Sequence, residues 1–126
     1  MRVRYLGPPA QAPDPLDGRY VFEAGREYVV LELHAESDGS TLLRIEPSRG
    51  SLAGLYNSRY FEQVSDVIPS LWGVVTLPGG GVLLGPPKWL SGEFWELMME
   101  REPEAEAEFE AVRDEITAED PVARSS

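Results

Sequence analysis

Glycine and proline recur at short intervals from Gly7 to Gly92, and then neither occurs between Pro103 and Pro121. This distribution limits the fold more than any other feature. A chain interrupted so often makes short strands and tight turns, while an uninterrupted stretch sustains a helix. Strands first and helices last define an α+β protein.

The elements follow from pattern. Arg2–Leu6 reads as a first strand, and the proline-rich stretch Gly7–Gly18 as an irregular loop, because proline denies the backbone its donors. Tyr20-Val21-Phe22 reads as a short strand. Arg26–Ala35 is rich in β-branched and aromatic residues and reads as a longer one. Ser37-Asp38-Gly39-Ser40 supplies the turn, Thr41–Glu46 the return strand and Ser51–Tyr56 a third. Residues 26–64 therefore predict a three- or four-stranded antiparallel meander with Tyr28, Val30, Leu42, Ile45 and Phe61 in the core. Leu31 and Leu33 alternate out of phase with Val30, which predicts a face switch or bulge. Asn57–Tyr60 predicts one tight helical turn before a short strand, Phe61–Val64. Trp72–Leu77 and Gly81–Leu84 flank Pro78-Gly79-Gly80 as a hairpin. Ser91 predicts a helix cap, with Leu90 and Trp95 as a hydrophobic staple. Pro103 opens a second helix over Glu104–Glu119.

At 126 residues the chain suits one domain, over 1–119, with a barrel-like β part (1–66), a hairpin with two helices (67–119) and a disordered tail (120–126). Cysteine is absent, which excludes disulfides, thiol nucleophiles and thiolate metal sites. No signal peptide and no membrane-spanning stretch is read, so a cytoplasmic location is expected. Arginine outnumbers lysine ten to one, as in proteins of GC-rich bacteria. The net charge of −11 is concentrated in the second half: residues 1–63 carry −2 and residues 64–126 carry −9. Such a chain repels nucleic-acid phosphates and anionic lipid and attracts basic proteins.

No catalytic constellation, cofactor or metal site is expected. His34 is the only histidine and reads as a strand-end surface residue, too isolated for zinc. Pro78-Gly79-Gly80-Gly81 lacks the Gly-Lys-Ser/Thr and the following helix of a phosphate loop. Asp14 and Asp17 lack the spacing of a calcium loop. Two helical faces are more informative. Phe94, Trp95, Leu97, Met98 and Met99 span an arc of about 200° at 100° per residue, wider than one buried stripe requires. Trp95 and Met98 are either core, between β part and second helix, or a surface for a partner or a homodimer. On the second helix Ala105, Phe109, Val112 and Ile116 form an apolar stripe. The opposite face carries Glu106, Glu110 and Asp114 among like-charge neighbours opposed by Arg113 alone, and is either solvated or a docking face for a basic protein. Trp72, Trp89 and Tyr60 are the candidates for a ligand pocket between barrel and hairpin.

The short strands, tight turns and helical turn before a last strand resemble an SH3-like small barrel over residues 1–66. That half holds no Trp, so the resemblance does not extend to proline-motif binding. Barrel plus acidic helical tail is similar in size, charge and class to the small acidic immunity proteins of bacterial toxin systems. The resemblance implies a non-enzymatic binding protein that neutralises or chaperones a basic partner. A small ligand-binding or regulatory module with an aromatic-lined pocket is the alternative.

Overall fold

The computed structural model describes residues 1–8 and 14–122. Eight strands precede two helices, in order β1 (Arg2–Tyr5), β2 (Glu27–Val29), β3 (Glu32–Ala35), β4 (Thr41–Ile45), β5 (Gly54–Asn57), β6 (Phe61–Ser65), β7 (Gly73–Thr76), β8 (Val82–Gly85), α1 (Glu93–Met99) and α2 (Pro103–Glu119). They form two antiparallel sheets, β2-β1-β6 and β5-β4-β3-β8-β7. The α+β class holds, but the sheets do not close into a barrel. A three-stranded meander forms as β3-β4-β5, but it does not span 26–64: the strand Arg26–Ala35 breaks in the middle, and β2 and β6 pair with β1 in the other sheet.

The break lies at Val30-Leu31. Upstream, β2 pairs with β1; downstream, β3 pairs with β4 and β8. The out-of-phase leucines mark this site, and the change of face is a change of sheet. Val30 enters a first core with Val3, Tyr5, Phe22, Tyr28, Leu43, Ile45, Tyr60 and Phe61, drawn from both sheets. Leu31 enters a second core with Ala53, Trp89, Phe94, Met98, Ala105, Phe109 and Ile116, between the larger sheet and the helices. Leu43 takes the core position expected for Leu42, since alternation along β4 sends Leu43 and Ile45 to one face.

The hairpin β7–β8 and the turn Ser58–Tyr60 form as expected, and Asn57 Oδ1 caps that turn by accepting from Arg59 N. Tyr20-Val21-Phe22 is not a strand. Val21 N and Phe22 N both donate to Gly18 O, and the resulting turn drops Phe22 into the first core. A Cβ on Gly18 would stand 2.3 Å from the Phe22 ring, so only glycine fits. The proline loop falls partly on residues 9–13, outside the described residues. Ser91 does not cap α1: Gly92, in the left-handed region, occupies the cap, and Ser91 Oγ donates to Lys88 O. Asp120 does not belong to a disordered tail. It is buried, accepts from Ser65 Oγ, and pairs with Arg2 at 2.9 Å, tying the end of α2 to β1.

Candidate partner-binding surface

α1 is two-faced. Phe94 and Met98 point into the second core, and Trp95 is half-buried beside them. At about 100° per residue the remaining positions form one exposed arc, running Met99, Glu96, Glu100, Glu93, Leu97. Three carboxylates therefore lie between two exposed apolar side chains, Met99 (73% exposed) and Leu97 (38%). The wide apolar arc in the sequence divides accordingly: Met98 is core, while Leu97 and Met99 meet solvent.

Trp95 is held by a buried polar cluster. Glu32, with no accessible surface, receives Trp95 Nε1 on Oε2 at 3.1 Å and Arg44 Nε on Oε1 at 3.2 Å, and His34 Nε2 lies 3.1 Å from Oε1. The Arg44 guanidinium also lies over the Trp95 ring, 3.9 Å from its centre, a cation–π contact. Burial draws Arg44 below its ordinary pKa, and the Glu32 charge opposes that shift. Glu32 and Arg44 share the helix-facing side of the sheet because they alternate with Leu33, Leu43 and Ile45. Gly85 makes room for them, since a Cβ there would come within 2.8 Å of Glu32 Cγ. His34 is thus mostly buried and bonded, not a free strand-end residue. The sequence carried a signal for this cluster: a lone carboxylate inside the apolar run Tyr28–Leu33. With both carboxylate oxygens of Glu32 occupied, the bond to Trp95 fixes α1 and the direction of its exposed arc.

α2 buries Ala105, Phe109 and Ile116, as the apolar stripe predicts. It also buries Arg113, which the sequence placed on the solvated face. Arg113 bonds Glu46 at 3.1 Å and Asp114 at 3.1 Å, an anchor supplied by a residue far away in the chain. The acidic face is less uncompensated than the sequence implies. Glu106 pairs with Arg101 at 3.3 Å, Glu108 with Lys88 at 3.5 Å, and Asp114 with Arg49 at 3.4 Å. Hydrogen bonds from Arg113, and then from Arg49, hold Asp114 below the usual carboxylate range. Of the three carboxylates singled out on this helix, Glu110 alone has no ion-pair partner among the described residues. Among those residues Glu93, Glu96, Glu100, Glu102, Glu104 and Glu115 are likewise exposed and without a cation.

The three aromatic ligand candidates do not converge. Tyr60 lies in the first core and donates to Asp14 Oδ2 at 2.9 Å. Trp89 lies in the second, stacked on Phe94 and Phe109. Trp72 packs against both. Trp89 lines a hollow of about 320 Å³ with Leu71, Pro86, Pro87 and Val112, but Trp72 and Tyr60 do not. Among the described residues no group of three His, Asp or Glu side chains is arranged to hold a metal, and no helix is long and apolar enough to cross a membrane. In comparison with known proteins, the chain matches no family model, no characterised relative and no solved structure at significant similarity.

Proposed function

We propose that this protein is a non-enzymatic acidic binding protein that covers a basic partner, in its concrete form an immunity protein for a bacterial toxin held in the cytoplasm. One observation carries the reading: the exposed arc of α1, where Glu93, Glu96 and Glu100 lie between Met99 and Leu97, in a chain of net charge −11. Exposed methionine and leucine beside unpaired carboxylates suit a cationic surface with apolar contacts at its centre. The charge speeds encounter, and the apolar side chains hold the complex once formed. The carboxylates Glu102, Glu104 and Glu110 extend the same field along α2. A toxin that acts on nucleic acid has a positive site, and an acidic cover would occupy its phosphate positions.

The test is co-expression with any basic domain that proves to be encoded beside its gene. Growth rescue by the wild-type protein is expected, together with loss of rescue in a Glu96→Gln, Glu100→Gln, Met99→Ala variant that melts normally. Failure to rescue against any neighbouring domain, or full rescue by the variant, overturns the proposal.

A further inference from the structure

β7 is the last strand of the larger sheet, and its outer edge is bare. Leu77 N donates to Gly81 O at 2.7 Å, which sets the phase of the hairpin ladder. Gly73 and Val75 turn their backbone groups toward β8, so Val74 and Thr76 turn theirs outward. Among the described residues no strand pairs with that outer side. Sheet edges are ordinarily guarded by charge, proline or a bulge. β2 carries Glu27 and β6 carries Glu62, while β5 is half-buried along its length. β7 has none of these. Its register is unbroken, Val74 is 64% and Val75 37% exposed, and Leu77 beyond them is exposed as well.

The surrounding sequence narrows the occupant. Positions 67–87 contain no charged residue, in a chain where 26% of residues are charged. Two copies carrying −11 each repel wherever their carboxylates meet, and this is the longest stretch that spares them that repulsion. A cationic partner is drawn instead to the helical face. We propose that β7 pairs antiparallel with β7 of a second copy, joining the two larger sheets into one across a two-fold axis. The phase of the ladder leaves only Val74 and Thr76 free to bond across the edge, and the register that pairs both of them in both copies is the one we assign: Val74 stands opposite Thr76 of the second copy, and Val75 stands opposite itself on the axis.

The register gives a sharp test, because the chain contains no cysteine of its own. A Val75→Cys variant places two thiols on the axis, at a Cα separation of about 4.5–5.5 Å that a disulfide spans. A Val74→Cys variant places each thiol one residue from the axis, an offset of two residues between them, beyond the roughly 7 Å limit. Under mild oxidation of the full-length protein, Val75→Cys should cross-link at least about ten times faster than Val74→Cys. In sedimentation, wild type should form a concentration-dependent dimer. Thr76→Pro should abolish it without lowering the melting temperature, since that N–H faces outward. Val74→Lys serves the same purpose if the proline variant misfolds. A wild type that stays monomeric at every concentration, equal cross-linking of the two cysteine variants, or a dimer that survives both edge substitutions overturns the proposal.

Discussion

The two cores are built from similar aromatic residues but treat their polar atoms differently. Between the sheets, Tyr5 donates to the Asp17 carbonyl at 2.7 Å, Tyr28 accepts from Glu23 N at 2.9 Å, and Tyr60 donates to Asp14. Beneath the helices, the buried indole N–H groups of Trp89 and Trp72 find no partner among the described residues. The first core is specified by hydrogen bonds as well as packing. The second is held by ring stacking and by one charged cluster at its margin. The comparison teaches where each core is vulnerable: the first at its hydroxyls, the second at its ring volumes and at Glu32.

The largest break should come from Trp89→Ala. It removes the ring that Phe94 and Phe109 stack on, and should cost about 3–5 kcal/mol in urea unfolding. If the cores unfold as one unit, far-UV and near-UV signals will still coincide. A sheet signal that outlives the helix signal would show two separate units. Glu32→Leu comes next. It leaves Arg44 buried without its charge partner and should cost roughly 3 kcal/mol, part of which Arg44→Met in the same chain should return. A smaller change sharpens the contrast. Tyr5→Phe strands the Asp17 carbonyl at nearly unchanged ring volume and should cost about 1–2 kcal/mol. No loss in thermal melts would refute the vulnerability of the first core at its hydroxyls.

Acid should act through Asp120. Burial works to raise its pKa, but the hydrogen bonds from Ser65, Arg2 and the amino terminus outweigh burial and hold it below the ordinary value. A depressed carboxylate contributes stability that is present above about pH 4 and lost as the pH falls through the folded-state value. The stability of Asp120→Asn should therefore fall less steeply below pH 4 than that of wild type. The smallest effect is expected from Glu96→Gln with Glu100→Gln and Glu110→Gln. The melting temperature should not move, and only association with a cationic protein at low salt should slow.

Much of the fold was legible because its signals are local. The turn at Pro78-Gly79-Gly80, the helical turn before β6 and the stripe on α2 each follow from a few neighbouring residues. What was not legible depends on pairing across distance. Nothing near Ala35 announces β8 as its partner, and nothing around Arg113 announces Glu46, so the barrel expectation and the solvated Arg113 were the natural local readings. The candidate surface was half legible. Periodicity flagged the apolar arc of α1, but only packing against Trp89 decides that Met98 turns inward while Leu97 and Met99 turn out. Arg101, which compensates Glu106, and Arg49, which joins Arg113 on Asp114, likewise arrive from outside α2.

The break at Val30-Leu31 places two adjacent amide protons in different sheets. Val30 N donates to Met1 O, beside the three-stranded sheet, and Leu31 N donates to Arg44 O in the five-stranded one, each at 2.9 Å. Their exchange with deuterated solvent therefore times the opening of two structures from neighbouring points on the backbone. If the layers open together, the two amides share one protection factor and respond alike to denaturant. If the helical layer loosens first, as a surface that adapts to a partner would, Leu31 will exchange ahead of Val30. The gap between them then measures the free energy separating the layers, and partner binding at α1 should close it from the Leu31 side.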